Sequence, residues 1–272
     1  MGWHSIVPSA PLTSLIETIW DWDMPPAGHR YDRILPSPGT ALIINLHEDE
    51  TRTYRDDSER SCVRASGSVI SGPYWRSWII DTSEQIRVMG LSFRPGGAHA
   101  LIGIDIDELS RCDINLEDMF GSNARRLRQR LLETPCPMQR LALLEGWLLR
   151  LASDPTPDPV IAYAITELGR APQIARIGSV QRDTGYSAAR FSTLFRRHVG
   201  MSPKRYARLL RFRAVVAQAH PQRTVDWSGI AADGGYCDQA HLSHEFREFA
   251  GITPTAFMAM RGTYANHIPI DE

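Results

Sequence analysis

The sequence of 272 residues predicts a two-domain α+β protein: a strand-rich N-terminal domain that ends in helices, followed by an all-helical C-terminal domain. Three observations predict it. Short apolar runs between turn residues fill positions 12–94, and helical periodicity dominates from residue 97 on. The C-terminal third contains two copies of one sequence pattern. Short strands between regular turns are typical of a small sandwich or barrel, and a chain of this length can build two cores.

The composition favours a cytoplasmic protein without membrane contact. No run approaches 18 apolar residues, and residues 1–4 lack the basic start of a secretory signal. The four cysteines are scattered, without a Cys-x-x-Cys pair. This spacing argues against a zinc site or a disulfide framework and fits a reducing compartment.

The charges are divided unevenly along the chain. Residues 170–261 carry 14 Lys and Arg against 6 Asp and Glu, a net charge of +8, whereas the remainder has a net charge of −9. This division predicts a polyanionic partner for the C-terminal third alone. Every basic residue except Lys204 is arginine. Arginine pairs bidentately with phosphate or guanine, although high-GC codon usage explains the same bias.

The N-terminal domain is predicted to contain several short strands. Apolar runs bounded by Gly, Pro or charged residues indicate strands at 41–46, 67–73, 75–81 and 86–93. The polar stretch 48–60 between them is expected to be a hairpin tip or a mobile loop.

Helices follow, at 98–103, 124–133 and 138–151. The last has four leucines on one stripe (Leu141, Leu144, Leu148 and Leu151), which either pack on their own domain or form a dimer helix. The proline-rich run 154–159 stops this helix and predicts a stiff linker. We therefore place the domains at 1–153 and 160–264, with a tail at 265–272.

The C-terminal domain is organised around an internal repeat. Gly, Pro and an aromatic residue follow Phe195 at five, eight and eleven positions, and the same spacings follow Phe246. Each copy combines an apolar helical run, a glycine turn and a second amphipathic helix, which is the pattern of a helix-turn-helix. Helices are predicted at 160–168, 188–198, 203–219, 226–233 and 238–249, of which the third joins the two copies and begins at a Ser-Pro cap.

Residues 160–261 resemble the DNA-binding domain of AraC/XylS-type transcriptional regulators. The resemblance rests on Gly-Tyr-Ser at 185–187, Leu-Phe-Arg at 194–196, Gly-Met-Ser-Pro-Lys-Arg-Tyr at 200–206, Leu-Leu-Arg-Phe-Arg-Ala at 209–214, Ile-Ala at 230–231, Gly-Gly-Tyr-Cys-Asp-Gln-Ala-His-Leu at 234–242, Phe-Arg at 246–247 and Gly-Ile-Thr-Pro at 251–254. It implies two recognition helices held by a linker helix, each in successive major-groove segments on one face of the DNA. The run Phe-Arg-Pro-Gly-Gly-Ala at 93–98 further resembles regulators whose N-terminal half is a cupin-like barrel, commonly without an assigned ligand.

The resemblance also implies which side chains contact DNA. In the first unit Ala189, Ser192 and Thr193 would read base edges, but they are small, so we expect modest discrimination. Arg190, Arg196 and Arg197 would contact phosphates.

The second unit offers Gln239, His241, Ser243, His244 and Arg247. Gln239 either reads adenine or makes a polar contact at the helix start, and the two histidines either donate to DNA or are merely exposed. We expect this unit to carry more of the specificity. The arginines of the joining helix either contact phosphate or form a solvated face: Arg205, Arg208, Arg211 and Arg213.

The N-terminal domain shows fewer signs of a site. A metal-binding cupin needs a His-x-His pair with a Glu and a later His, whereas here His47 and Glu48 stand alone. We therefore expect no metal, no cofactor and no catalytic residue. Tryptophans either line an apolar cavity or fill the core (Trp20, Trp22, Trp75 and Trp78), with Arg76 or Arg94 placed to bind an anion.

The sequence therefore predicts a regulator of transcription that binds promoter DNA and senses a small molecule or self-associates through its N-terminal domain. RNA polymerase and a second copy of the chain are further partners in keeping with this prediction, and activation is the family expectation. The alternatives are a cupin-like enzyme or ligand-binding module with an accessory DNA-binding domain, and an architectural DNA binder without specificity.

Overall fold

The computed structural model describes residues 2–54, 61–152 and 156–270. Its strands are β1 (Gly2–Ile6), β2 (Ile16–Asp23), β3 (Tyr31–Ile34), β4 (Ala41–Asn45), β5 (Glu50–Tyr54), β6 (Cys62–Ser66), β7 (Ser68–Ser71), β8 (Trp78–Asp81), β9 (Arg87–Phe93), β10 (Asp113–Asn115) and β11 (His267–Ile270). One sheet has the order β1-β2-β9-β4-β7-β10 and the other β11-β3-β8-β5-β6. Among the described residues, the predicted barrel is thus a pair of antiparallel sheets that do not close into a ring.

The helices are α1 (Gly97–Ile102), α2 (Leu116–Phe120), α3 (Ser122–Glu133), α4 (Pro137–Leu151), α5 (Pro159–Arg170), α6 (Ile177–Asp183), α7 (Ala188–Val199), α8 (Pro203–Ala219), α9 (Trp227–Asp233), α10 (Gln239–Ala250) and α11 (Pro254–Met260). A 3-10 turn at Ile106–Leu109 follows α1. The helix predicted at 203–219 coincides with α8, because the Ser202 hydroxyl accepts from the Arg205 amide and Pro203 takes the first helical position. Within residues 2–54, 61–152 and 156–270, no helix is both long and apolar enough to cross a membrane.

The leucine stripe of α4 lies inside the N-terminal core. Leu141, Leu144 and Leu148 are at most 1% exposed and share a cluster with strand residues such as Ile19 and Leu91. Of the two interpretations, packing on its own domain is therefore the one that the structure supports. A dimer helix would need these side chains at the surface.

The shared frame of the repeat builds the C-terminal core. Phe195 and Phe246 are fully buried, and so are the aromatic residues eleven positions later, Tyr206 and Phe257. The glycines of the frame, Gly200 and Gly251, have φ of 78° and 73°, the left-handed conformation that ends α7 and α10. The repeat thus specifies cores and helix ends, which both units need.

The tail differs from the prediction. Residues 267–270 of the predicted tail form β11, which pairs antiparallel with β3 from His267 opposite Ile34 to Ile270 opposite Tyr31. Ile268 is fully buried beside Leu35 in the core of the C-terminal domain. A four-residue strand that contains a proline has too little pattern to be read locally, and its partner lies more than 230 residues earlier. The chain therefore returns to the N-terminal sheet after its last helix.

Two predicted segments extend beyond the described residues. The polar stretch 48–60 contributes β5 and the start of a β5–β6 hairpin, but residues 55–60 lie outside them. Of the proline-rich run, residues 154 and 155 lie outside as well, and Asp158 caps α5 by accepting from the amides of Val160 and Ile161.

Candidate functional site

The two predicted recognition helices, α7 and α10, begin in the same way. The Ser187 hydroxyl accepts from the Arg190 amide at 3.3 Å, and the Asp238 carboxylate accepts from the His241 amide at 2.7 Å. These caps lie at equivalent positions of the repeat, 51 residues apart. Each satisfies a backbone donor that the first turn of a helix leaves free.

The outward face of α7 carries small residues and arginines. Ala189, Arg190, Thr193 and Arg196 are exposed and Ser192 is half-buried. The Arg190 guanidinium lies 4.1 Å from the centre of the Tyr186 ring. The residues predicted for base reading in this unit are thus at the surface.

Arg197 differs from the other arginines of α7 because it contacts the N-terminal domain. Its Nε donates to the Asp105 carboxylate at 2.5 Å, across to the N-terminal domain. A phosphate contact by this side chain would compete with that ion pair.

The outward face of α10 carries longer polar side chains. Gln239, His244 and Arg247 are exposed, and Ser243 is half-buried. The Gln239 side-chain oxygen accepts from the Ser228 hydroxyl at 3.3 Å, a contact weak enough to exchange for a base.

His241 is held by the start of its own helix. Its Nδ1 accepts from the Cys237 amide at 3.3 Å, while Asp238 accepts from the His241 amide. The ring also contacts Tyr236 edge-on, with centroids 5.3 Å apart. This is a reciprocal cap, so the side chain that the sequence offered for DNA has a structural task here.

The four arginines of α8 are all engaged by protein groups. Arg208 donates to Glu245 at 2.7 Å and also to Glu248, and Arg211 lies 3.4 Å from Glu245. The other two contact the N-terminal domain: Arg205 stacks 4.2 Å from the Trp75 ring, and Arg213 donates to the Pro36 carbonyl at 3.4 Å. These arginines hold the linker helix in place.

The N-terminal domain holds both recognition helices at their C-terminal ends. A Cβ on Gly200 would lie 2.4 Å from Pro73, and one on Gly251 2.7 Å from the Arg33 guanidinium. The Ser77 amide donates to the Phe249 carbonyl at 2.7 Å. The exposed residues predicted to contact bases lie toward the opposite, N-terminal ends of the helices.

A pair of histidines belongs to the same interface. The rings of His99 in α1 and His198 in α7 have centroids 3.9 Å apart. Burial and the neighbouring His99 lower the pKa of His198 to about 4. At neutral pH this contact therefore joins an uncharged His198 to the N-terminal domain.

The residues predicted to bind a ligand do not form one site. Trp75 lies at the domain boundary, with three guanidinium groups within 5.1 Å of its ring centre. Trp78 and Arg76 line a small cavity of about 100 Å³, where the Trp78 ring lies 4.3 Å from that of Tyr74. Arg94 is exposed and donates to the Thr13 carbonyl at 3.0 Å.

A larger cleft of about 700 Å³ lies elsewhere, between the two sheets. Trp3, Trp20, Trp22 and Tyr264 supply its aromatic walls. Trp3 stacks on Trp20 at 5.7 Å between ring centroids, and Trp22 contacts Tyr264 edge-on at 5.9 Å. The sequence offered Trp20 and Trp22 for a cavity, but it gave no sign that residue 264 would reach them.

Asp32 is the acidic residue of this cleft. Its carboxylate lies 2.8 Å from His29 Nε2 and 3.1 Å from His267 Nδ1. Burial by itself would raise the pKa of Asp32, but the hydrogen bonds and charges of His267 and His29 outweigh it and lower that pKa. Among the described residues, no set of His, Cys, Asp and Glu converges to hold a metal.

Comparison with known protein families divides the chain in two. Residues 4–115 match a domain of unknown function, DUF6597. Residues 181–260, from within α6 to the end of α11, match a helix-turn-helix domain. This region is an AraC-type helix-turn-helix domain. The AraC-type domain thus contains both predicted recognition helices, α7 and α10, and the linker helix α8 between them.

Among curated proteins no sequence match was found. Among solved structures, the chain is similar to ToxT from Vibrio cholerae bound to an unsaturated fatty acid, with 9% identity, 96% coverage of both chains and a TM-score of 0.49. It is also similar to the apo form of a ToxT variant from the same organism, with 12% identity, 91% coverage of this chain, 98% of the other and a TM-score of 0.47.

Proposed function

We propose that this protein is a sequence-specific DNA-binding regulator of transcription that responds to a small molecule through its N-terminal domain. The observation that carries the proposal is the pair of exposed helix faces on α7 and α10, within an AraC-type domain. Residues 170–261, which contain this domain, have a net charge of +8. Helix-turn-helix units read DNA through the N-terminal residues of their second helix. Those are the residues that the interface with the N-terminal domain leaves uncovered.

Different side chains of α7 and α10 would provide affinity for DNA and specificity for its sequence. Arg190, Arg196 and Arg247 are exposed and would pair with phosphates, which gives salt-dependent affinity without sequence preference. Gln239 matches adenine through two hydrogen bonds. Ser243 and His244 would add to base reading beside it.

Competitive binding measurements against random DNA test this proposal. We expect Gln239→Ala and Ser243→Ala each to lower the ratio of specific to random affinity, with Gln218→Ala as the control, because Gln218 is an exposed glutamine of α8. An unchanged ratio in both variants would show that α10 does not read bases. A wild-type ratio near one would instead indicate an architectural binder.

The alternative function, a cupin-like enzyme, has one observation in its favour. Asp32 and its two histidines lie in the cleft, and acid–base pairs of this kind serve catalysis in many enzymes. Chemical conversion of a molecule bound in the cleft would support this function. Binding without conversion favours the regulator, for which promoter DNA, RNA polymerase and a second copy of the chain are the proposed cytoplasmic partners.

A further inference from the structure

The segment that follows the last helix, residues 261–270, contacts the end of the linker helix at its first residues. The Arg261 guanidinium donates to the carbonyls of His220 and Gln222 at 3.1 and 2.9 Å. The His220 Nε2 in turn lies 3.0 Å from the Gly262 carbonyl. His220 caps the C-terminal end of α8, so the segment starts from the element that joins the two helix-turn-helix units.

The same segment ends in the N-terminal domain. β11 forms the edge strand of the second sheet, and the Leu35 amide donates to the Asn266 carbonyl at 2.9 Å just before it. Ile268 is fully buried against the C-terminal core. Both ends of the segment are therefore fixed, one to each domain.

The middle of the segment forms a wall of the aromatic cleft. Tyr264 is 48% exposed and Trp3, on the facing sheet, is 52% exposed, although each ring touches Trp22. Aromatic side chains left uncovered in a concave site are typical of a ligand pocket, because a ligand removes their faces from water.

The charges of the cleft restrict what it can bind. Its described lining contains the Asp32 carboxylate and two imidazoles, but no lysine and no arginine. A ligand anion would meet Asp32 without a permanent positive partner, whereas a cation or a hydrogen-bond donor would find both the carboxylate and aromatic faces.

We propose that the cleft binds an aromatic small molecule without negative charge, with a preference for an amine. Its binding would affect the DNA-binding domain through Tyr264 and His267. The proposal rests on the regulator function above and gives it a ligand class and a route. The ligand would pack between Trp3, Trp22 and Tyr264 and direct its polar end toward Asp32. The segment 261–270 would then be the shared part of the sensor and the DNA-binding domain.

Calorimetric titration with three probes of one skeleton tests the ligand class. The probes are 3-phenylpropylamine, 3-phenylpropan-1-ol and 3-phenylpropionate, which are cationic, neutral and anionic at pH 7. We expect the amine to bind about tenfold more tightly than the alcohol, and the carboxylate not to bind measurably. Tightest binding of the carboxylate, or binding of none of the three, would overturn the ligand class.

Variants locate the bound probe. Tyr264→Ala should weaken amine binding about tenfold, whereas Tyr163→Ala, which changes a similarly exposed tyrosine of α5, should leave it unchanged. Asp32→Asn should remove the preference of the amine over the alcohol. Equal effects of the two tyrosine variants, or an undiminished preference in Asp32→Asn, would place the probe elsewhere and contradict the proposal.

Hydrogen exchange and DNA binding test the route. Saturation with the amine should slow amide exchange in residues 262–270 of the full chain and change its affinity for a selected DNA site, and Tyr264→Ala should abolish the change. If the amine binds in the cleft while exchange and DNA affinity stay constant, the route is wrong and the regulator function stands. If the chain shows no specific DNA binding with or without the amine, the regulator function itself fails.

Discussion

The two helix-turn-helix units share a frame but are attached to different parts of the molecule. At equivalent positions of the second helix, 51 residues apart, the first unit has Arg197 and the second has Glu248. Arg197 pairs with Asp105 of the N-terminal domain, and Glu248 pairs with Arg208 of the linker helix. The first unit thus has a charged link to the N-terminal domain where the second has one to α8. The two copies of the repeat share core and turn residues, while the residues between them make different contacts.

The surfaces offered to DNA differ in the same way. Where α7 begins with Ala188, α10 begins with Gln239, and Thr193 corresponds to His244. Arg196 and Arg247, by contrast, are equivalent and both exposed. The two units should therefore contribute similarly to phosphate binding and unequally to base discrimination.

The largest difference expected between the units is in stability. Glu245 is 4% exposed and lies between Arg208 and Arg211, whereas the equivalent residue of the first unit is Leu194. Glu245→Gln leaves two arginines without their shared carboxylate, which should lower the free energy of unfolding by about 3 kcal/mol. Urea denaturation measures this. Glu117→Gln, which removes an exposed partner of Arg125, should cost much less, because water screens this pair. Equal losses in the two variants would contradict this difference between the units.

The second difference is a loss of stability between pH 6.5 and pH 4 that comes from a histidine of the first unit. Its His198 corresponds to Phe249 in the second unit. Because the folded protein lowers the pKa of His198 to about 4 and the unfolded chain protonates near 6.5, stability is full above pH 6.5 and falls as the pH decreases toward 4. The loss should reach roughly 3 kcal/mol.

Thermal or urea unfolding between pH 7 and pH 4 measures the effect, and His198→Phe is the matched variant. It should flatten the part of the pH dependence that comes from this residue. His99, Arg197, Asp105 and Asp158 lie near His198 and remain in the variant. An identical pH profile in both proteins would show that His198 is protonated as readily when folded as when unfolded.

Base discrimination gives the next difference. Gln239→Ala should lower the specific-to-random affinity ratio by a factor that corresponds to about 1–3 kcal/mol, the value of a bidentate contact with a base. Ser192→Ala in the first unit removes one hydroxyl and should cost about 1 kcal/mol or less. Fluorescence anisotropy with a selected site and a random competitor measures both. A larger loss for Ser192→Ala would reverse the assignment of specificity.

The smallest expected difference is between the equivalent arginines. Arg196→Gln and Arg247→Gln should each weaken binding to all sequences alike and reduce the slope of log affinity against log salt by about 1. Titrations at several salt concentrations give the slopes. If only one variant changed its slope, the two units would not contact the backbone in the same way.

The sequence was sufficient for what local pattern determines. The periodicity and the caps at Ser202 and Pro203 placed α8, and the repeated Phe-Gly-Pro spacing predicted two units whose buried frame the structure confirms. The helices at 124–133 and 138–151 were also predicted to within two residues.

What sequence could not supply depends on distant contacts. The pairing of β11 with β3 joins the two ends of the chain, and the cleft is formed by Trp3 and Tyr264 from those ends. The same holds for the arginines of α8, whose contacts in the structure are with Glu245, Glu248, the Trp75 ring and the Pro36 carbonyl. The residue type shows that a side chain is charged, whereas tertiary packing determines which group it pairs with.

Selection of binding sites from a random DNA library shows whether the two units read bases unequally. We expect two enriched stretches centred about 10 base pairs apart, one helical turn of DNA, with one stretch more sharply defined than the other. In Gln239→Ala the sharper stretch should lose its preference while the other stays unchanged. Enrichment of no sequence by the wild-type chain, or an unchanged sharper stretch in Gln239→Ala, would contradict it.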